Sequence, residues 1–332
     1  MKKAVFLNDN FDTVRRVYGE YYIRYIDEKF GLAEKSAVID LAACANKLQD
    51  CRYAFSTWGM PVYSEEEIRK YLPSLKAVFY AAGAVKSFAA PFLNAGVRIF
   101  SARDANALPV IETAVSQILL ANKGFYFLSG LAKTDYRKAV KERESFKGNY
   151  GAEVGLVGLG TISRGVAERL KSHDVKVYMY STYATDEEIA AAGAIPLALD
   201  EMFARCDVIS NHLADTPDTV KIMGKKQFGL MKPYSTFINT GRGAQVDECA
   251  LREKLIADPT VTAVLDVTYP EPPDFSNGLF SLPNTVLTPH SAGSSGQEVH
   301  RMAEYMVREC ENFASGGETK YEITKEMLSK MA

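Results

Sequence analysis

Short apolar runs alternate with longer amphipathic stretches along most of this chain. The runs in the first hundred residues are 4–7, 53–56, 77–80 and 97–100. The pattern restarts near residue 154 and predicts strands at 154–157, 175–180, 208–211, 236–239, 261–267 and 286–288. Parallel strands read as continuous apolar runs because helices cover both of their faces. Strands that alternate with helix-length segments, such as 65–71 and 88–93, therefore predict two α/β units.

Composition and charge narrow the class of protein. A chain of 332 residues fits two domains, and its 47% hydrophobic and 24% charged residues are typical of a globular protein. The formal net charge is -2, and no dense cluster of Lys or Arg marks a surface for nucleic acid or anionic lipid. We therefore expect a small neutral or anionic ligand, with no nucleic-acid partner and no membrane partner.

Cysteine usage and the apolar segments bear on location. Five cysteines, an odd number without a C-x-x-C pair, favour reduced thiols and a cytoplasmic protein. The run 4–7 is too short for the apolar core of a signal peptide, and we expect it to form the first strand. The longest apolar stretch, 108–131, is interrupted by Glu112, Gln117, Asn122 and Lys123, so it predicts no membrane span.

A glycine loop follows the strand predicted at 154–157. Gly158 permits a tight turn, and Gly160 lets a pyrophosphate approach the backbone. The next helix begins at Thr161 and Ile162, where unpaired N–H groups and the positive end of the helix dipole favour an anion. Ser163 stands at the third glycine position of the fingerprint. A purely structural turn is the alternative, but strand, turn and helix together favour dinucleotide binding.

The residue expected to bind the adenosine ribose is Ser181, at the end of the strand 175–180. A carboxylate at this position would exclude a 2′-phosphate, so its absence removes the usual obstacle to NADP. No cation replaces it, and Asp186, Glu187 and Glu188 add negative charge at a helix start that Thr185 caps. The sequence therefore favours NAD and leaves NADP open.

The end of the chain bears on domain organisation. Residues 297–313 have apolar positions at helical spacing, and neither a strand nor a regulatory domain is expected after Phe313. A last helix that crosses back onto the first unit would make that unit discontinuous. We predict a flavodoxin-like substrate domain at 1–104 and 293–332, and an inserted Rossmann dinucleotide-binding domain at 105–292. Both are expected to be doubly wound, with hinges near Ala105 and Gly293.

Several motifs stand in the order of one family. They are Ser56-Thr57-Trp58-Gly59, Ala81-Ala82-Gly83-Ala84-Val85, Asn211-His212-Leu213, Ile238-Asn239-Thr240-Gly241-Arg242-Gly243 and Leu287-Thr288-Pro289-His290. With the glycine loop, they resemble the D-isomer-specific 2-hydroxyacid dehydrogenases over nearly the whole chain. The resemblance implies an oxidoreductase that interconverts a small D-2-hydroxy acid and its 2-oxo acid, in a cleft that closes on substrate and NAD.

The resemblance also implies site residues, which are Arg242, Glu271 and His290 as the catalytic set, with Asp266 near the nicotinamide. The chemistry supports these roles. His290 can donate the proton that a reduced carbonyl oxygen needs, and an ionised Glu271 would favour its imidazolium form. The planar fork of Arg242 can bind a carboxylate and polarise the adjacent carbonyl. The alternatives are a helix-capping or surface cation for Arg242, a satisfied buried His290, an exposed carboxylate for Glu271, and a turn cap for Asp266.

Other assignments complete the predicted site. The N–H groups of Ala84 and Val85 are candidates for the substrate carboxylate, although an ordinary turn after the strand 77–80 is nearly as plausible. His212 and Thr240 are assigned to the cofactor side, with His212 either lining the cofactor or packed in the core. No two His share a helix face at ligand spacing, so no metal is expected.

Two further predictions concern partners and rival functions. The family commonly forms homodimers through its cofactor domains, and residues 110–127 are a candidate face, unless they form a core helix. A corepressor-like protein that senses the dinucleotide is the rival from another class, and the full catalytic set argues against it. Formate-type enzymes have Gln at the position where this chain has Glu271, so a formate-type enzyme is disfavoured. Phosphite oxidation stays open.

Overall fold

The computed structural model describes residues 3–328. It divides into two compact units: one takes in the described residues up to Ala107 and from Ser294 onward, and the other is Leu108–Gly293. The predicted domain limits at 104/105 and 292/293 lie close to these divisions. Residues 1, 2 and 329–332 of the predicted substrate domain lie outside the described residues. The roles assigned to the two domains stay predictions.

Strands and helices alternate through both units. The strands are β1 (Ala4–Leu7), β2 (Leu32–Val38), β3 (Tyr53–Ser56), β4 (Ala77–Tyr80), β5 (Arg98–Ser101), β6 (Glu153–Val157), β7 (Lys176–Tyr180), β8 (Ile195–Pro196), β9 (Val208–Asn211), β10 (Thr236–Asn239), β11 (Thr262–Leu265), β12 (Thr285–Leu287) and β13 (Glu322–Ile323). The helices are α1 (Phe11–Phe30), α2 (Ala45–Leu48), α3 (Glu65–Tyr71), α4 (Ala89–Asn94), α5 (Arg103–Asn122), α6 (Phe125–Thr134), α7 (Tyr136–Glu142), α8 (Thr161–Leu170), α9 (Asp186–Ala191), α10 (Leu199–Arg205), α11 (Lys225–Leu230), α12 (Glu248–Ala257), α13 (Val299–Ser315) and α14 (Lys325–Leu328).

The first unit is built on a six-stranded sheet in the order β13-β5-β4-β3-β1-β2. Strands β1 to β5 are parallel and take the 2-1-3-4-5 order of flavodoxin-like folds. β13 pairs antiparallel with β5, so the expectation of no strand after Phe313 was wrong. β2 was also missed, because its middle residues include Glu34 and Lys35, which an edge strand can expose. The predicted doubly wound fold of this unit is confirmed.

The second unit is built on a seven-stranded parallel sheet in the order β12-β11-β10-β9-β6-β7-β8. Counted from β6, this is the Rossmann order 3-2-1-4-5-6 with one more strand at the edge. The predicted strands of this unit are confirmed, although β11 ends at Leu265, before the predicted limit at residue 267. Only the two-residue strand β8 was not foreseen. In such sheets, ligands bind where the strand order reverses, beside β6.

The segment 110–127, the candidate dimer face, is largely internal. On α5, the side chains of Val110, Ile111, Ala114 and Ile118 are buried within this chain. The core-helix alternative therefore describes α5. The next helix, α6, has no buried side chain although its sequence is largely apolar. None of the helices in residues 3–328 has both the length and the apolar character that a bilayer crossing requires.

His212 is locked in a buried polar cluster at the end of β9. Its ring nitrogens lie 3.0 Å from the Ser210 hydroxyl and 3.3 Å from the Thr240 hydroxyl. Burial lowers the pKa of His212 to about 4, so the imidazole is neutral at physiological pH. The backbone of His212 also supports the glycine loop, since its N–H donates to Val157 O at 2.8 Å.

The buried neutral state of His212 makes stability depend on pH. Between pH 6.5 and 4, the unfolded chain binds a proton at His212 that the folded chain does not, so stability falls as pH falls. We expect the free energy of unfolding to drop by about 2 kcal/mol more from pH 7 to pH 5 in the wild type than in His212→Gln. Urea titrations of both proteins at the two pH values measure this difference. Equal pH dependence in the two proteins would contradict it.

Candidate active site

The predicted site residues follow the carboxyl ends of neighbouring parallel strands in the second unit. Arg242 follows β10, Glu271 follows β11 and His290 follows β12, and these three strands are adjacent in the sheet. Gly158, Ser181 and His212 follow β6, β7 and β9. Because all these strands are parallel, the residues gather along one edge of the sheet although they are far apart in sequence.

The glycine loop has the shape that a dinucleotide phosphate requires. Gly158 has φ +103, and a Cβ there would lie 2.9 Å from the carbonyl oxygen of His212, so only glycine fits. A Cβ at Gly160 would meet no atom of the described chain within 4 Å, which leaves open space over the start of α8. The first residues of α8, Thr161 and Ile162, have N–H groups that no turn of their own helix can satisfy. These features fit a pyrophosphate of NAD.

The turn after β7 is held by its own side chains. Ser181 Oγ accepts hydrogen bonds from the N–H groups of Tyr183 at 3.3 Å and Ala184 at 3.1 Å. The Tyr183 hydroxyl donates to Leu159 O at 2.6 Å, which ties this turn to the glycine loop. Thr185 caps α9 through a capping box, as the sequence predicts. Within residues 3–328 the Ser181 hydroxyl accepts these two bonds and donates none, and the residue provides no carboxylate.

His290 and Glu271 are brought together. His290 Nδ1 lies 2.7 Å from Glu271 Oε1, and the two side chains are 48% and 45% exposed. This distance suits a hydrogen bond between an imidazole and a carboxylate. His290 has φ +51, a conformation that residues other than glycine rarely adopt. The pair can therefore hold a proton at His290 Nε2, on the side of the ring that faces away from Glu271.

Asp266 holds the turn that carries His290. Its carboxylate is 3% exposed and accepts from Thr288 Oγ1 at 2.5 Å, Ser291 N at 2.8 Å and Ala292 N at 2.9 Å. The N–H of His290 donates to the backbone oxygen of Asp266 at 2.9 Å. These contacts match the turn-cap alternative. A role of Asp266 toward the cofactor stays a prediction.

Arg242 lies in a loop that packs against the Glu271 loop. A Cβ at Gly243 would lie 2.1 Å from the carbonyl carbon of Thr268, so the two backbones are in direct contact. Arg242 Nη1 donates to Gly241 O at 2.8 Å. Within residues 3–328, no hydrogen bond or ion pair joins Arg242 to Glu271 or His290. The structure therefore places their loops side by side without pairing the side chains.

A buried amide cluster shapes the Arg242 loop, and the sequence analysis did not identify it. Asn211 Nδ2 donates to Asn239 Oδ1 at 2.9 Å and to Gln245 Oε1 at 2.7 Å. Gln245 Oε1 also accepts from Arg242 N at 3.2 Å. Asn211 and Asn239 end the neighbouring buried strands β9 and β10, and these polar strand ends are the sequence signal that could have identified the cluster. Thr240 belongs to the same edge, and its hydroxyl contacts His212 Nδ1.

Glu248 anchors the loop that carries Glu271. Its Oε1 accepts from Tyr269 N at 2.9 Å, and burial raises the pKa of its carboxyl. In sequence it resembles an ordinary acidic residue in the first turn of α12. Nothing in the sequence pattern separates it from such residues.

Within the described residues, no group of three or more His, Cys, Asp or Glu side chains could hold a metal ion.

The predicted substrate residues Ala84 and Val85 belong to the first unit and follow β4. Ala84 is exposed, whereas the Val85 side chain is fully buried in the apolar core of that unit. A contact from Val85 to a substrate could therefore come only from its backbone. Both assignments stay predictions.

Comparison with known proteins is informative for the second unit above all. The family model described as "D-isomer specific 2-hydroxyacid dehydrogenase, NAD binding domain" matches residues 117–292. This match covers more than half of the chain and includes the glycine loop and the predicted catalytic residues. It confirms the predicted NAD cofactor.

Similar proteins and structures agree with this match. D-3-phosphoglycerate dehydrogenase of Archaeoglobus fulgidus is 31% identical over 67% of this chain and 42% of its own length. Glyoxylate reductase of Thermococcus litoralis is 34% identical over 54% of each chain. A crystal structure of a phosphoglycerate oxidoreductase from Rhizobium etli shares the fold, with a TM-score of 0.80 over 99% of this chain and 100% of that chain, at 17% identity.

The lengths of these proteins differ. The chain spans about half the length of the curated relatives that it matches, 42% and 54% for the two named above. The region that the family model matches, residues 117–292, holds the glycine loop, the Arg242 loop and the turn of His290. The chain belongs to the D-isomer-specific 2-hydroxyacid dehydrogenase family.

Proposed function

We propose that the protein is an NAD-dependent oxidoreductase that interconverts a small D-2-hydroxy acid and its 2-oxo acid. The 2.7 Å contact between His290 and Glu271, at the sheet edge that also carries the glycine loop, is the main support. An acid–base group beside a dinucleotide-binding loop is what a carbonyl reduction requires. The names of the relatives, a phosphoglycerate dehydrogenase and a glyoxylate reductase, are in keeping with this substrate class.

The bound NAD would supply the hydride chemistry. His290 would donate a proton from Nε2 to the carbonyl oxygen in reduction and accept it in oxidation. Glu271 would orient the ring through Nδ1 and stabilise its positive charge. Arg242 would bind the substrate carboxylate through its guanidinium. To do so, the guanidinium would either break its hydrogen bond to Gly241 O or keep that bond and use its remaining N–H donors. Asp266 would keep the turn of His290 in place.

A dinucleotide-sensing corepressor-like protein is the second candidate function. It would need the glycine loop but not an acid–base pair. The half-exposed His290 and Glu271 side chains lie in contact, and the buried Asp266 holds the turn of His290. A pair held in this way favours an enzyme. Cofactor binding without turnover of any 2-oxo acid would instead favour the sensor.

We also propose that the enzyme uses NAD with modest discrimination against NADP. Because Ser181 stands where a carboxylate would repel a 2′-phosphate, that repulsion is absent. The first turn of α9 is acidic and provides no cation to bind such a phosphate. The substrate side chain stays open among lactate-, glycerate-, phosphoglycerate- and branched-chain-type acids. A cytoplasmic location stays a prediction from the cysteines.

A homodimer formed through α6 is a further part of the proposal. Phe125 is 49% exposed, and Leu128 lies three residues further on the same helix face. An apolar helix without a buried side chain is typical of a surface that a second subunit covers. This assignment moves the predicted dimer face from α5 to α6.

The acid–base pair is tested by single and double substitutions. We expect the wild type to consume NADH in the presence of 2-oxo acids from a panel that begins with glyoxylate. The loss of NADH absorbance measures this turnover. His290→Ala should lower kcat by about 10²–10⁴-fold, since it removes the proton donor. Glu271→Gln should lower kcat less, and the double variant should be no slower than His290→Ala, because Glu271 acts through His290.

The affinity for NADH is the control in this experiment, and it should be similar in all four proteins. Losses in kcat that multiply in the double variant would contradict the pairing. No turnover of any 2-oxo acid by the wild type would contradict the proposed function itself.

The α6 interface is tested by a charge at its centre. Phe125→Asp is expected to convert a dimer to a monomer, because a carboxylate would have to be buried without a partner. Val62→Asp is the matched control, because it also places a carboxylate at an exposed apolar residue, 67% exposed, but in the first unit and away from α6. This variant should stay dimeric. Sedimentation equilibrium measures the mass of each protein. A monomeric wild type would exclude the dimer.

A further inference from the structure

A cavity of about 390 Å³ lies within the second unit, apart from the candidate active site. Its polar lining side chains include Asn122, Ser145, Lys147, Asp207, Lys232 and Tyr234. Asp207 directly precedes β9, and Tyr234 lies two residues before β10. The cavity is therefore at the amino ends of the parallel strands, whereas the glycine loop and His290 follow their carboxyl ends. Its volume falls in the range of about 300–1,000 Å³ that is typical of small-molecule pockets.

Two lysines share one carboxylate in this cavity. Lys232 Nζ lies 2.6 Å from Asp207 Oδ1 and donates to Arg205 O at 2.7 Å. Lys147 Nζ lies 3.5 Å from Asp207 Oδ2, an oxygen that also accepts from Glu153 N at 2.7 Å. At this distance the contact to Asp207 engages at most one of the three N–H donors of the Lys147 ammonium. Lys147 therefore has donors left for an anion.

Two further charged groups border the cavity. Glu144 lines it, but its side chain is 76% exposed and its carboxylate lies 2.8 Å from Arg143 Nε. Lys123 has its Nζ 4.0 Å from the position that a Cβ would take at Gly148, the residue after Lys147. The ion pair of Glu144 carries no net charge, whereas Lys123 adds an ammonium near Lys147. These surroundings favour an anion.

One buried acceptor in the lining lacks a donor. Asn122 is 3% exposed, and its Nδ2 donates to Asn149 Oδ1 at 3.0 Å. Among residues 3–328, the Oδ1 of Asn122 has no hydrogen-bond partner. The Tyr234 hydroxyl donates elsewhere, to Glu142 Oε2 at 2.6 Å. Because a buried acceptor without a donor is costly and rare, a ligand that carries a proton on one of its oxygens would stabilise Asn122.

We propose that this cavity binds a phosphate group, either of inorganic phosphate or of a small phosphorylated molecule. Lys147 and Lys232 donate to its charged oxygens. Asn122 Oδ1 accepts from the P–OH group of inorganic phosphate, or from a hydroxyl group of the phosphorylated molecule. Sulfate offers the same charged oxygens but has no proton to donate at neutral pH. The site lies at the opposite edge of the sheet from the candidate active site and does not depend on the proposed function.

The test measures binding to the enzyme saturated with NADH, in which the cofactor already occupies the glycine loop. Isothermal titration calorimetry at pH 7 and constant ionic strength uses inorganic phosphate, glycerol phosphate and sulfate as probes. We expect at least one of the two phosphates to bind, and the tighter of the two identifies the source of the phosphate group. Sulfate should bind roughly tenfold more weakly, because it leaves Asn122 Oδ1 without a donor.

A single substitution assigns the binding to this cavity. Lys147→Gln removes an ammonium that donates to the anion, and it should weaken phosphate binding by roughly tenfold. Lys225→Gln is the matched control, because Lys225 lies on α11 of the same unit with a carboxylate partner, Glu253, at 3.7 Å. This variant should bind phosphate like the wild type. Lys232→Gln replaces Lys147→Gln if thermal melts show that the latter is not folded.

The outcomes are distinct. Absence of binding of both phosphates would overturn the proposal and leave a cavity that holds water. An affinity for sulfate equal to that for phosphate would contradict the assigned ligand. Phosphate binding that persists in folded Lys147→Gln would place the anion elsewhere and would equally refute the site. Because turnover of a 2-oxo acid is not the readout, failure of the proposed function would not change any of these results.

Discussion

The buried carboxylate of Asp266 is the interaction on which the candidate active site depends. It accepts hydrogen bonds from the hydroxyl of Thr288 and from the N–H groups of Ser291 and Ala292, and thereby closes the turn that carries His290. A buried carboxylate requires such partners, and a buried N–H that loses its acceptor costs about 1–3 kcal/mol. Together these bonds hold the backbone of the turn in which His290 adopts φ +51, a conformation that persists only where the surroundings fix it. In that turn the imidazole lies against the carboxylate of Glu271.

The parallel sheet supplies the remaining geometry. Each crossover returns the chain to the same edge, so loops that are far apart in sequence become neighbours in space. Backbone contacts then fix these loops against one another, as at Gly158 beside His212 and Gly243 beside Thr268. Two histidines at this edge have opposite environments. His212 is buried and neutral, whereas His290 is half exposed with a carboxylate partner.

Much of the fold could be predicted from the sequence, because strands buried on both faces are continuous apolar runs between glycines and amphipathic segments. β2, β8 and β13 were missed for a common reason, since they are short or polar edge strands whose sequences have no such run. The residues that follow each strand could also be predicted. Their supports could not, because the amides of Asn211 and Gln245 and the carboxylate of Glu248 resemble ordinary polar residues until their partners are known.

The most direct test of this account is the effect of Asp266→Asn on turnover and on cofactor binding. The amide nitrogen cannot accept a hydrogen bond, so one of the N–H groups of the turn loses its partner. We expect kcat for the 2-oxo acid to fall by roughly 10- to 100-fold, the equivalent of about 1–3 kcal/mol, while the Kd for NADH stays near the wild-type value. A weakened affinity for NADH with an unchanged kcat would contradict the account.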